Sequence, residues 1–241
     1  MPSKIKARIY YEDFTDNVTL SKEHSHYLIT VLRSQIGDHV HLFNPRQGEV
    51  LFEIGLAHPK KTVLNKISEI KPATKDSDQL WLAFAPIKKN RIMFLAEKLS
   101  EIGVHQAFPI ITEYTDKQKI NDERFIANMI EAAEQCERLS VPTLNEPQKL
   151  DEFLSNFPKD RALIICAEKY ATASLYNIIK DNRFDKVAFL IGPEGGFSDS
   201  EFERLKTHPQ AHLVSLGANI LRAETASIAA LSCWQMICGE W

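Results

Sequence analysis

Val40, Leu42, Val50, Phe52 and Ile54 fall at every second position on either side of the stretch Asn44-Pro45-Arg46-Gln47-Gly48. Alternation with a period of two marks strands with one buried face, and a Pro- and Gly-bearing polar stretch between them marks a turn. With ARIYYED before and KTVLNKISEI after, the first third predicts a small antiparallel barrel or sheet, interrupted by one helical stretch, KEHSHYLITVLR. KPATKDSDQ, Lys71 to Gln79, is polar and aperiodic and predicts a linker. The rhythm then changes. Apolar runs LWLAFAP, AFPIIT, ALIICAE, KVAFLIG and AHLVSLG are separated by helical patterns such as ERFIANMIEAAEQCERL and NRIMFLAEKLSEIG, the latter with Ile92, Leu95, Leu99 and Ile102 on one face. Near-continuous apolar strands joined through amphipathic helices predict a mostly parallel sheet covered on both sides. The expected layout is a β domain over residues 1–74 and an α/β domain over residues 75–241.

Composition narrows the function classes. Hydrophobic residues make up 44% and charged residues 25% of the 241, which excludes disorder and fibrous repeats. No apolar run is long enough to cross a bilayer, and MPSKIKARIYYED has no apolar block behind its basic residues, so the chain reads as cytoplasmic, with no membrane partner. Cys136, Cys166, Cys233 and Cys238 form neither a CxxC pair nor a zinc-type spacing with histidine, so no metal is expected. The net charge of -3 argues against indiscriminate coating of nucleic acid. Residues 1–74 nevertheless carry ten Lys/Arg against eight Asp/Glu, so the more basic surface belongs to the first third.

In open parallel sheets, ligands bind where carboxyl ends of strands lead into helices. Three loops meet that description. One follows ALIICAE and contains Glu168; the second is GPEGGFSDSE; the third is SLGANILRAETAS. Gly192, Gly195, Gly196 and Gly217 lie in the last two, where missing Cβ atoms let backbone approach a ligand, and Pro193 stiffens the turn. Ser198 and Glu201 form a capping-box pattern that starts the next helix. The pattern is neither GxGxxG nor GxxxxGK[ST], which removes specific support for a dinucleotide or P-loop site. Arg222 stands beside Glu224 ahead of a small-residue helix, where an arginine could bind phosphate or polarise a base oxygen and the glutamate could orient it; an ordinary ion pair is the plainer reading.

GPEGGFSDSE followed by LVSLGANILRAETA resembles the paired C-terminal signature of the RsmE family, SPOUT-class 16S ribosomal RNA (uracil-N3) methyltransferases. HYLITVLR, FNPRQGE, AEKLSEIGVHQAFPIIT and EAAEQCERLSVP resemble the family's other blocks, in order and over nearly the whole chain. The resemblance implies a PUA-like RNA-binding β-barrel followed by a SPOUT methyltransferase domain with a C-terminal trefoil knot. It also implies S-adenosyl-L-methionine as methyl donor, 16S rRNA in the small ribosomal subunit as partner, and a homodimer. On that basis Glu168, Gly192, Pro193, Gly195, Gly196, Leu216, Gly217, Ile220, Leu221 and Arg222 are the donor-binding candidates. Arg222 is the first catalytic candidate, with Glu194 or Glu224 as base or orienter. RNA contacts are expected from Arg8, Arg33, Arg46, Lys88, Lys89 and Arg91, and Glu134, Gln135 and Arg138 are expected to share a helix face suited to dimerisation or substrate access. Where many members carry an Arg-Ser pair after the strand ending near Ile111, this chain has Tyr114 and Thr115, and Lys117 is the neighbour that could take over an arginine's task. The rival readings are a SPOUT enzyme acting on another RNA position, such as a ribose 2'-hydroxyl, and an RNA-binding module without catalysis.

Overall fold

The computed structural model describes residues 5–74, 78–87, 89–116, 120–167, 171, 173–239 and 241, with the side chains of Lys89 and Asn90 excepted. The chain divides into two compact units, residues 1–76 with 133–140, and residues 77–132 with 141–241.

The first unit holds β1 (Ile5–Tyr10), β2 (Asn17–Thr19), α1 (Lys22–His26), β3 (His39–Asn44), β4 (Gly48–Leu56) and β5 (Val63–Lys71). They form a five-stranded sheet in the order β1-β3-β4-β5-β2. The hairpin at Asn44–Gly48 is antiparallel, as are β4 with β5 and β2 with β5, but β1 pairs parallel with β3, which an all-antiparallel expectation misses. Parallel neighbours need a long crossover, and β2 with the helical stretch supplies it. That stretch is α1 continued by a π-helical turn, Tyr27–Val31, and it closes on Arg33 in a left-handed conformation (φ 53°). Every period-two residue of the hairpin is buried, alongside Ile9, Leu28 and Leu64. Gly48 has φ 79°, and a Cβ there would fall onto the Lys71 carbonyl, so both conformation and space select glycine.

Arg8 corrects one expectation. Rather than facing RNA, its guanidinium lies 3.4 Å over the Phe43 ring, with Nε 3.1 Å from Glu49 Oε2. Nη1 donates to the Ala133 carbonyl (2.7 Å) and Nη2 to the Arg138 carbonyl (3.0 Å). All three nitrogens are engaged inside the unit, and the side chain is only 10% exposed. Glu134 and Arg138 likewise do not share a free helix face. Glu134 accepts from the Tyr10 amide (3.0 Å), and Arg138 lies beyond a left-handed Glu137 (φ 61°) that ends the helical path.

The second unit holds β6 (Leu80–Phe84), α2 (Lys89–Ile102), β7 (Gln106–Ile111), most of α3 (Asp122–Gln135), β8 (Thr143–Leu144), β9 (Gln148–Lys149), α4 (Leu150–Ser155), β10 (Ala162–Cys166), β11 (Ala173–Ser174), α5 (Leu175–Asn182), β12 (Val187–Ile191), α6 (Asp199–Thr207), β13 (Ala211–Ser215) and α7 (Ala223–Ile237). The sheet runs β11-β13-β10-β12-β6-β7-β8, with β9 also on β7, and its pairings are parallel. Side chains alternate between two cores. Leu80, Leu82, Phe84, Val187, Phe189 and Ile164 pack with residues of α2, α3, α5 and α7, while Ala83, Ala188, Leu190, Leu163 and Ile165 pack with residues of α4 and α6. Burial on both faces explains the continuous apolar runs. Cys166 is in register with both Ile191 and Val214, so the carboxyl ends of β10, β12 and β13 lie side by side. Their following loops therefore converge at one end of the sheet.

The amino end carries a different device. Arg161, buried just before β10, donates through Nη1 to the carbonyls of Gln79 (2.8 Å) and Val187 (3.2 Å). Nη2 donates to the Asp78 carbonyl (2.6 Å) and carboxylate (3.1 Å), and the guanidinium lies 3.7 Å over Trp81.

Candidate active site

At the carboxyl ends of β10 and β12 lies a cleft of about 400 Å³. Its wall contains Gly192, Pro193, Glu194, Gly195, Gly196, Leu216, Ile220, Leu221 and Arg222, all singled out by the sequence. It also contains Cys166, Ala167, Ile191, Phe197, Ala223 and Ala226, which were not. Cys166 and Ala167 end the ALIICAE run, so the strand-end rule that selected the loops could have found them. Glu168 lies outside the described residues, as do Lys88, Lys117 and the Lys89 side chain.

Three glycines close together have three separate causes. Residues 193–196 form a tight turn, with the Gly196 amide donating to the Pro193 carbonyl (2.8 Å). Gly196 has φ 72°, which a side chain resists. At Gly192 a Cβ would lie 3.0 Å from the Phe197 ring, and at Gly195 it would lie 3.1 Å from Tyr114 Cβ. The cradle is therefore shaped by its own packing as well as open toward the cleft. Gly217, expected on the wall, is not on it: its amide and carbonyl both bond the Ser215 hydroxyl at 3.1 Å, bracing the loop instead.

Ser198 caps α6 by a full capping box. Its partner Glu201 does more than the pattern announces. This buried carboxylate accepts the Ser198 amide at Oε2 (3.0 Å) and the Glu113 amide at Oε1 (2.8 Å), fastening the loop after β7 beside the cradle.

Arg222 and Glu224 separate. Arg222 is the extended residue preceding α7 (ψ 153°), exposed at the cleft; its carbonyl accepts from the Ala226 amide (2.8 Å), and its side chain has no hydrogen-bond or ion-pair partner among the described residues. Glu224 is buried one position into the helix, and its Oε1 meets Arg91 Nε of α2 at 3.4 Å. It makes no contact with the Arg222 side chain, its Oε1 being turned to Arg91 instead. Arg91 is thereby paired through Nε, with its side chain 34% exposed. Of the other RNA candidates, Arg33 is exposed, and Arg46 is exposed with Nη2 bonded to the Glu12 carbonyl (2.6 Å). Among the described residues no group of three or more His, Cys, Asp or Glu could hold a metal ion, and no helix is long and apolar enough to cross a membrane.

The family described as RNA methyltransferase domain matches residues 74–235, and the RNA methyltransferase PUA domain matches residues 20–67. The ribosomal RNA small subunit methyltransferase E of Rickettsia conorii is 34% identical over 215 residues, covering 88% of this chain and 86% of that protein. The chain belongs to the RsmE family. Another member, from Buchnera aphidicola of Schizaphis graminum, is 28% identical over 96% of this chain and 95% of its own length. A Legionella pneumophila protein solved with its bound cofactor SAM superposes with a TM-score of 0.83 at 30% identity, covering 96% of this chain and 97% of that one. The RsmE structure from Neisseria gonorrhoeae gives a TM-score of 0.86 at 23% identity over 98% and 99% of the two chains, and so shares the fold. The architecture is accordingly the α/β SPOUT type preceded by a PUA-like domain.

Proposed function

We propose that this chain methylates N3 of a uridine in 16S rRNA of the small ribosomal subunit, using S-adenosylmethionine. The observation that carries this reading is the glycine-walled cleft with Arg222 on its wall, in a chain of the RsmE family. Its volume of about 400 Å³ falls in the range of small-molecule sites, roughly 300–1,000 Å³. Leu216, Leu221, Ile191 and Ala226 supply apolar wall, while Gly192, Gly195 and Gly196 bring backbone polar groups to the surface, a combination suited to a purine nucleoside. Adenosylmethionine, when bound, supplies a methyl group already activated by its sulfonium charge. What remains for the protein is positioning and electrostatics.

Uracil N3 carries a proton that must leave as its bond to the methyl carbon forms, and the charge released spreads onto the flanking ring oxygens. Arg222 offers unengaged donors to those oxygens, and the amino end of α7, whose Ala223 and Ala226 line the cleft, adds a favourable potential. The Glu224 carboxylate would oppose that potential, but Arg91 offsets its charge. Glu194, exposed on the turn, is the candidate proton acceptor or orienter. Arg33 and Arg46 are candidates for phosphate contact, which positions folded RNA rather than reading its sequence. The homodimer and the trefoil knot implied by the resemblance belong to this reading. Ile220, 86% exposed, and Met236, 71% exposed, offer apolar surface for a second copy.

The test is methyl transfer from labelled adenosylmethionine to small subunits lacking their native uridine methylation, with mass mapping of the modified nucleoside. N3-methyluridine at one site is expected. Label at a ribose or another base would overturn the target, and no label would overturn the reaction. Light scattering tests the dimer.

A further inference from the structure

Tyr114 stands in the loop after β7, at the carboxyl end of the sheet where the cleft lies, and is 52% exposed. Its backbone is held. The Thr112 amide donates to Thr115 Oγ1 (2.9 Å), the Thr115 amide returns to the Thr112 carbonyl (3.2 Å), and the Glu113 amide is fastened to buried Glu201 (2.8 Å). The near side of Tyr114 packs on Gly195, where a Cβ would sit 3.1 Å from Tyr114 Cβ and 3.6 Å from Cδ2. Gly195 is itself an exposed part of the cleft wall, whereas Tyr114 is not among the residues lining the cleft. An aromatic side chain on a braced loop thus adjoins the glycine cradle from outside and leaves half its surface to solvent.

We propose that Tyr114 is the surface on which the target nucleobase stacks. The proposal rests on the methyl-transfer reading above. A uracil whose N3 is to react must leave its stack in the RNA and loses stacking energy when it does. An aromatic face beside the reaction site replaces that stacking. The geometry of the base permits both contacts together. N3 and the ring oxygens lie in the plane of uracil, so its edge can meet Arg222 while its face meets Tyr114. The donor is the weaker candidate for this contact, since the cleft has its own apolar wall and Tyr114 stands beyond it.

The experiment uses the full chain with Tyr114→Ala and Tyr114→Phe. It measures kcat and KM on undermethylated small subunits, the Kd of adenosylmethionine by calorimetry, and the melting temperature. Tyr114→Ala is expected to lower kcat/KM for the subunit by roughly 5- to 150-fold, the range that stacking of one base supplies. Donor Kd and melting temperature should be unchanged, and Tyr114→Phe should stay within about 2-fold of wild type because the π-face is retained. Wild-type kcat/KM in Tyr114→Ala would overturn the stacking role alone. A loss in Tyr114→Phe as large as in Tyr114→Ala would assign the effect to the hydroxyl, and donor Kd weakening in step with kcat/KM would assign it to the donor; both overturn the proposal. Absence of transfer by the wild-type chain would overturn the methylation reading and the stacking role with it.

Discussion

Arg161→Ala removes a buried cation from the amino ends of β6, β10 and β12, far along the strands from the cleft. The Gln79 carbonyl keeps the Val187 amide (2.8 Å) and needs no replacement donor. Asp78 keeps the Trp81 indole N–H and the Gln106 amide, and at 42% exposure its carboxylate stays solvated, so that ion pair contributes little. What is lost outright is the donor to the Asp78 carbonyl, the longer bond to the Val187 carbonyl and the contact over Trp81. Hydrogen bonds from a charged group contribute about 1.5–3 kcal/mol each, and a desolvated cation–π contact up to about 2 kcal/mol. These contributions overlap, and Arg161 Nε has no hydrogen-bond partner among the described residues, which offsets part of the gain. A net loss of about 3 kcal/mol is expected, a large share of the roughly 5–15 kcal/mol that stabilises a domain. At roughly 2–4 °C per kcal/mol, the second unit should melt about 6–12 °C lower by calorimetry. Arg161→Lys should fall between, since an ammonium keeps the charge but not the planar fork. Adenosylmethionine affinity well below the transition should be unaltered. A loss under about 1 kcal/mol in urea titration would mean instead that the buried guanidinium merely offsets its own desolvation.

Arg222→Ala should lower turnover by about 10²–10³-fold, the effect of removing one donor to a developing charge, with donor affinity nearly unchanged. A parallel loss of calorimetric affinity would reassign Arg222 to donor binding. Burial pushes the Glu49 carboxyl up, but Arg8, the hydrogen bond with His41 and Lys71 together outweigh it and hold the group below its usual 4.5. A depressed carboxylate stabilises the first unit above the unfolded value and loses that contribution as pH falls through the folded one. The urea midpoint of the first unit should therefore drop as the pH falls below about 4.5, and Glu49→Gln should flatten the drop; an unchanged slope would count against the Arg8–Glu49–His41 cluster. Gly48→Ala, whose Cβ would meet backbone of Lys71 and Pro72, should cost more than about 2 kcal/mol, whereas Gly217→Ala, with φ 130° but open space around it, should cost about 1 kcal/mol or somewhat more. Equal costs by circular-dichroism unfolding would show that backbone conformation, not the approach of β5, selects Gly48.

The parts of the site legible in the sequence are those whose cause is local. A strand buried on both faces needs an unbroken apolar run, and β12 shows it in VAFLI. A helix start needs its cap within three residues, and Ser198 with Glu201 supplies one. The glycines of GPEGG were legible as a special turn, but not the reasons for each, since Phe197 and Tyr114 define two of them only after the chain is folded. The same limit explains the misplaced charges. Arg8 and Arg46 look alike in sequence, and one is half-buried across Phe43 with its donors engaged while the other is exposed at a hairpin.

Legible in the linear order were the parallel sheet, its five long strands and the end at which loops gather, because periodicity, turn residues and capping patterns act over a few neighbouring positions; the family followed from its motif blocks, and the short β8, β9 and β11 carry no apolar run that announces them. Tertiary structure alone decided which charges meet. Glu201 holds the amide of Glu113, 88 positions away. Glu224 turns to Arg91 and leaves Arg222 facing the cleft, and Tyr114 comes to rest on Gly195. A charged or aromatic side chain has no fixed role until its surroundings decide whether it is desolvated, paired or exposed, and those surroundings are built from segments that the linear order keeps far apart.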